Sequence, residues 1–276
     1  MKLTIVAIAS SLALAGCVSD CGRGNDVLIA HRGESFDAPE NTLPAYKTAV
    51  ERGFGFECDI YLSSDKRLFT FHDTTLKRTT SGANTNACTA VGWDTVSKLN
   101  VGGWGKWKGS KFDPTRPALL EEVLALARPG RKIYVEVKDD DPEWVPYIKA
   151  TFAKEPKATP ETVLFISFGK NVSAELKRQM PEFKTYWLTS ARRAQDVKAL
   201  IATLRKLGVD GVDMGYLSQI VTAGYIDEVK KAGFEFHVWT IDDPKVAAEA
   251  FSRGAQTVTT NRAKYLFESL SGADAL

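Results

Sequence analysis

Short apolar runs and longer amphipathic stretches alternate along this chain from residue 27 onward. Val27–His31, Phe54–Tyr61, Lys132–Val137, Val163–Phe168, Thr185–Leu188, Val209–Met214, Glu235–Ile241 and Gln256–Thr260 read as strands. Helical patterns follow them at Thr42–Arg52, Leu119–Ala127, Glu143–Ala153, around Ala174–Arg178, and at Ala194–Leu207, Val221–Ala232, Pro244–Arg253 and Ala263–Leu270. Leu43, Tyr46 and Val50 share one face of the first helix, and Pro244 suits a first helical turn. Alternating strands and helices imply a parallel sheet with right-handed crossovers. Eight such units predict an α/β fold of the closed (β/α)8 TIM-barrel type. An open doubly wound sheet would call for a Gly-rich phosphate turn after the first strand, where this chain has His31-Arg32-Gly33.

Two stretches break the rhythm. Behind the second strand comes an extended run, Arg67–His72, and then residues 74–117, rich in Gly, Thr, Asn and Trp. This reads as a small insertion on the active-site face, long for a loop without function. Its Gly102–Gly109 piece carries Trp104 and Trp107. They are expected to pack back on the barrel, with cover of a leaving group or membrane contact as the alternative.

The other stretch is the start of the chain. Met1-Lys2 and the apolar Leu3–Ala15 are too short to span a bilayer comfortably and read as a signal peptide over residues 1–16. Leu14-Ala15-Gly16-Cys17 resembles the bacterial lipobox, which makes Cys17 the expected lipidation site and membrane anchor. An ordinary secretory signal is the alternative, and either leads out of the cytoplasm. Val18 after the Cys, rather than Asp, points to the outer membrane facing the periplasm; residues 17–26 would be a tether and 27–276 the barrel. Cys58 lies between two acidic residues on a strand, so its thiol should point outward under the helices. In an oxidising envelope the remaining Cys21 and Cys88 are the expected pair, although no spacing rule fixes it.

Composition is that of an ordinary globular protein. With 36 Lys and Arg against 34 Asp and Glu, a net charge of +2 gives no nucleic-acid signal. The informative charges are those at strand ends, where barrel enzymes keep their chemistry. His31 and Arg32 end the first strand, Glu57 and Asp59 share a face near the end of the second, His72 ends the extended run, and Glu136 and Lys138 end the third strand. Three carboxylates at one barrel mouth repel each other unless a cation joins them. Oxygen donors of this kind favour Ca2+ or Mg2+. Two histidines beside such an ion suit general acid–base work, and Arg32 and Lys138 suit a phosphate oxygen. Together these describe phosphodiester cleavage.

The same residues resemble the glycerophosphodiester phosphodiesterase family: His31-Arg32-Gly33 with Pro39-Glu40-Asn41-Thr42, Glu57-x-Asp59, His72-Asp73, Glu136-x-Lys138 and the aromatic strand Val238-Trp239-Thr240-Ile241. One departure is Thr260-Asn261, where the family often has Thr-Asp; that position is expected to be peripheral to chemistry. The resemblance implies one divalent cation held by Glu57, Asp59 and Glu136. It implies acid and base roles for His31 and His72, and phosphate contacts from Arg32 and Lys138. Trp239 would pack on the glycerol, or else be a core aromatic. The implied reaction releases glycerol 3-phosphate and an alcohol from a small-molecule diester. A phospholipase D-like enzyme for lysophospholipid or sphingolipid is the alternative, and a non-enzymatic binding lipoprotein the second. A phosphatidylinositol-cleaving phospholipase C would share the two histidines but not Pro39–Thr42.

Overall fold

The apolar runs form strands that are almost wholly buried, and the computed structural model describes residues 25–272. The strands are β1 (Leu28–Ala30), β2 (Gly55–Leu62), β3 (Leu68–Thr70), β4 (Ile133–Val137), β5 (Val163–Ser167), β6 (Thr185–Ser190), β7 (Gly211–Gly215), β8 (Glu235–Trp239) and β9 (Val258–Thr260). Eight of them run parallel in the order β1-β9-β8-β7-β6-β5-β4-β2, and β1 pairs with β2 through Ile29↔Gly55 to close a (β/α)8 barrel. The run after the second strand becomes β3, antiparallel to β2 and outside the ring, in register Ile60↔Thr70 and Leu62↔Leu68. Pairing of β2 with β4 stops at Ile60↔Val137. The longer β2 therefore projects past its neighbour, and β3 covers an edge that would otherwise be unpaired.

The helices are α1 (Leu43–Glu51), α2 (Trp93–Val96), α3 (Leu120–Leu124), α4 (Val145–Phe152), α5 (Lys170–Gln179), α6 (Val197–Leu207), α7 (Ala223–Lys231), α8 (Pro244–Ser252) and α9 (Ala263–Ser271). Thr42, Asp196, Thr222 and Asp243 cap four of them by accepting from first-turn amides, each cap worth about 1 kcal/mol. The helix expected to reach Ala127 stops at Leu124; Pro129-Gly130 just beyond cannot continue it. No helix among the described residues is long and apolar enough to cross a membrane.

Strand alternation divides the core in two. Val212 and Met214 of β7 join the large outer core beneath the helices, whereas Ile29, Tyr134, Leu164, Ile166, Tyr186 and Leu188 fill the barrel interior. The third histidine, His237, belongs to this interior: its ring stacks on Tyr186 at 4.3 Å and its Nδ1 meets Thr257 Oγ1 at 2.8 Å. Cys58 is fully buried in the outer core, as alternation predicts. Cys88 is buried with its thiol donating to the Asp73 carbonyl at 3.1 Å. Its expected partner Cys21, and Cys17, lie outside the described residues. Between β3 and α3, Trp107 packs inward edge-on to Phe112 at 5.6 Å. Trp104 lies under the Arg78 guanidinium at 5.0 Å.

Candidate active site

The mouth of the barrel is organised by three left-handed residues in one loop. Arg32 has φ +56°, Gly33 +77° and Asn41 +55°. Gly33 is required twice over: its φ disfavours a side chain, and a Cβ there would stand 2.6 Å from the carbonyl carbon of Ala45 in α1. The turn lets the Arg32 amide donate to Glu57 Oε2 at 2.8 Å and brings its guanidinium Nε to 3.4 Å from Asp59 Oδ2. Asn41 is clamped beneath. Its amide side chain donates to Asp59 Oδ2 at 2.7 Å, while its Oδ1 accepts from the Asp59 amide at 3.1 Å and from Tyr46 Oη at 2.8 Å.

Glu57, Asp59 and Glu136 are all buried, and one oxygen from each lies within 4.8 Å of the others. The register Asp59↔Glu136 places them side by side on adjacent strands. Lys138 Nζ sits 2.7 Å from Glu136 Oε1 and 3.2 Å from Asp59 Oδ1. Burial alone would raise Asp59, but Lys138 and Arg32 outweigh it and hold its carboxyl well below the usual range. Burial and then the charge of Asp59 push Glu57 well up and Glu136 to about 8. Further positive charge at the cluster would favour ionisation of both groups. Glu57 Oε1 is shielded and has no hydrogen-bond partner among the described residues. An oxygen-only donor set, an unpartnered oxygen and surplus negative charge fit a hard divalent cation.

Each histidine has one nitrogen fixed. His31 Nδ1 lies 2.7 Å from Asn261 Oδ1, and the Asn261 amide nitrogen donates to Asp242 Oδ2 at 2.8 Å. That second bond fixes the amide orientation, so Nδ1 must donate and neutral His31 carries its lone pair on Nε2. Burial, then the Arg32 charge, lower His31 to about 4. His72 Nδ1 meets Asp73 Oδ1 at 2.9 Å. Hydrogen bonds from Arg78 hold Asp73 at about 2. Burial lowers His72, with Arg32 and Lys138 adding to the effect against Asp59 and Asp73. Arg78 also binds both oxygens of Glu40, which in turn accepts from Arg32 at 2.9 Å.

These groups open onto a cavity of about 240 Å3 lined by His31, Arg32, Glu57, His72, Glu136 and Lys138 on one side. Ile166, Phe168, Leu188, Asp213, Trp239, Thr240 and Thr259 line the rest. Trp239 is both wall and packing: its Nε1 donates to the Asp213 carbonyl at 3.1 Å, and its ring meets Phe168 edge-on at 5.6 Å.

The profile of the glycerophosphoryl diester phosphodiesterase family matches residues 31–264, which takes in every one of these residues. The chain belongs to this family. A glycerophosphodiester phosphodiesterase of Bacillus subtilis is 26% identical over 251 residues, 84% of this chain and 82% of that protein. A human protein, glycerophosphodiester phosphodiesterase domain-containing protein 5, is 26% identical over 271 residues, 87% of this chain but only 42% of its own length. The chain thus spans about two fifths of the first curated relatives it matches. A phosphodiesterase of Oleispira antarctica, solved with the product sn-glycerol-3-phosphate, superposes with a TM-score of 0.76. It is 25% identical, with 88% of this chain and 95% of that one covered.

In this member of the glycerophosphoryl diester phosphodiesterase family, all seven polar site residues singled out from the sequence gather at one mouth, with Trp239 opposite. Asn261 corrects an expectation: far from peripheral, it is the direct partner of His31, because the end of β9 lies beside the end of β1. Sequence reasoning placed Glu40 and Asn41 in the Pro39–Thr42 motif but gave them no role, and passed over Arg78 and Asp213. A signal existed for two of them. Asn tolerates a positive φ that other residues avoid, and Asp213 is, with Asp210, one of two charges inside the run Val209–Met214.

Proposed function

We propose that this protein hydrolyses glycerophosphodiesters to glycerol 3-phosphate and an alcohol by two-histidine acid–base catalysis. The observation that carries the reading is the pair of imidazoles, each pinned at Nδ1, beside a carboxylate cluster and two cations at one cavity. A glycerol hydroxyl attacks phosphorus and gives its proton to His31 Nε2, which is unprotonated at neutral pH. His72 gives its proton to the departing alcohol oxygen as the P–O bond breaks. Asp73, held ionised by Arg78, steadies the charged imidazole. A diester anion between Arg32, Lys138 and His72 offsets the two cations that pull the His72 proton away. Water then opens the cyclic phosphate with the histidine roles exchanged. Glu57, Asp59 and Glu136 would hold one Ca2+ or Mg2+, which when bound supplies charge neutralisation and Lewis-acid polarisation at the phosphate. Trp239 is assigned the glycerol face, on the wall it shares with Asp213.

The test is release of glycerol 3-phosphate from glycerophosphocholine with Ca2+, with Mg2+ and with chelator. Metal-dependent turnover that falls about 100- to 10,000-fold in His31→Ala and His72→Ala supports the reading. Choline release from lysophosphatidylcholine instead would move the protein to the phospholipase D-like class. Metal binding without turnover on any diester would leave a binding protein. Anchoring through Cys17 in a bacterial envelope, at an outer membrane facing the periplasm, is a further proposal supported by Leu14-Ala15-Gly16-Cys17. Cys17→Ser should release the protein from the membrane fraction.

A further inference from the structure

Asp213 is a charged residue of the barrel interior that the reaction just described does not use. Alternation along β7 turns Val212 and Met214 toward the helices and Asp213 inward, in register with Leu188 on β6 and His237 on β8. It is 1% exposed, yet it lines the catalytic cavity. Its Oδ1 is shielded and has no hydrogen-bond partner among the described residues. An ideal Cβ on Gly215 would stand 3.4 Å from the Trp239 indole, so that ring lies across β7 beside Asp213. Around it, Ile166, Leu188, Phe168 and Trp239 present mainly carbon to the cavity. Burial alone pushes its carboxyl up to about 7, since no neighbouring charge compensates it.

A polar group buried without a partner carries a desolvation penalty that a fold seldom keeps without use. A charged acceptor among mainly carbon neighbours is how a small pocket fixes a ligand's orientation; Thr240 and Thr259 are the uncharged polar side chains of the same lining. The phosphate, which joins the glycerol to the alcohol, belongs at Arg32 and Lys138, across the cavity. With Trp239 assigned to the glycerol face, the group that reaches the β7 wall is the glycerol. A cavity of about 240 Å3 and the depth of Asp213 fit a short polar end, while the exposed Phe168 marks the way out.

We propose that Asp213 is a specificity-determining residue whose carboxyl hydrogen-bonds the terminal hydroxyl of the substrate's glycerol, with the leaving alcohol directed outward past Phe168. This rests on the phosphodiesterase reading above and narrows its substrate class. A glycerol acylated at that hydroxyl has no proton to offer, and its ester would leave the carboxyl buried without a partner. The site thereby selects deacylated diesters over lysophospholipids.

The experiment compares glycerophosphocholine with the phosphocholine diester of propane-1,2-diol joined through its primary carbon. That analogue keeps the attacking hydroxyl and lacks the terminal one. Wild type should favour glycerophosphocholine by about 10- to 100-fold in kcat/KM. Asp213→Ala should reduce the ratio to near one, by loss on glycerophosphocholine alone. Asp213→Asn, which keeps an acceptor, should restore much of it. A wild-type ratio near one, or an equal fall on both diesters in Asp213→Ala, would overturn the proposal. So would a changed preference between glycerophosphocholine and glycerophosphoglycerol with the first ratio intact, since Asp213 would then face the leaving group. If Asp213→Ala does not fold, the wild-type ratio and Asp213→Asn decide. If wild type cleaves neither diester, the phosphodiesterase reading has failed. Calorimetry of glycerol 3-phosphate against propane-1,2-diol 1-phosphate still reads the subsite: equal affinities overturn it, and weaker binding of the deoxy compound supports it.

Discussion

Replacing Asn41 by Asp changes one donor into an acceptor without changing shape. The new residue still suits the left-handed backbone at φ +55° and can still accept from Tyr46 and from the Asp59 amide. What it loses is the bond from the Asn41 amide nitrogen to Asp59 Oδ2 at 2.7 Å, in a site where Asn41 is 4% exposed and Asp59 fully buried. Two carboxylate oxygens would meet instead. Burial and a like charge at contact raise a carboxyl by about two to three pH units. At about 1.4 kcal/mol per unit, the variant should be less stable than wild type by about 3–4 kcal/mol at pH 8. For a barrel of this size that is a fall in Tm of roughly 10 °C. The introduced group has a raised folded-state pKa, so the penalty grows as pH rises above the ordinary carboxyl value and levels off above the folded one. Near pH 4 the protonated side chain can donate to Asp59 again, and the deficit should shrink below about 1 kcal/mol. Urea or thermal unfolding of both proteins in chelator, at pH 4 and pH 8, measures this. An equal deficit at both pH values, or none, would refute the claim that the Asn41 donor balances the Asp59 charge.

Asp213→Asn should show the opposite sign. The wild-type carboxyl, raised to about 7 by burial, makes the fold lose stability as pH rises from about 4 toward 7. The variant should therefore gain up to about 4 kcal/mol over wild type at pH 8; a gain of equal size at pH 4 would rule out titration as its cause. Arg78→Ala removes a partly exposed pair network, so stability should change by less than about 1 kcal/mol. Turnover should still drop about tenfold as Asp73 lets go of its place behind His72, and unchanged kcat/KM would free His72 from that dependence. Ca2+ or Mg2+ at about 100 times its Kd should stabilise wild type by about 2.7 kcal/mol. Glu57→Gln should abolish the thermal shift, and a shift that survives would place the ion elsewhere.

The barrel was legible because a strand with helices outside and side chains inside must be apolar for most of its length. The departures from that rule were the informative positions. Glu57 and Asp59 flank Cys58, and strand alternation alone sends the two acids inward and the thiol outward. Arg67–His72 looked extended but could not be assigned to the ring, because only the projecting end of β2 decides what pairs there. Likewise Trp239 was ambiguous between wall and core, and its place across β7 makes it both.

What the sequence by itself determined is the eight strand–helix units of the ring, their parallel arrangement, and the chemistry gathered at the strand ends, since all three follow from periodicity and from which residue ends each strand. Only the tertiary structure decided how those groups are held. His31 takes its tautomer from Asn261, 230 positions away, because closing the ring puts β9 against β1. Asp59 is steadied by Asn41 from the first loop, and Glu40 is shared between Arg32 and the distant Arg78. Hydrogen bonds act over about 3 Å of space whatever the separation along the chain, so such pairings leave no period or spacing for a sequence to display.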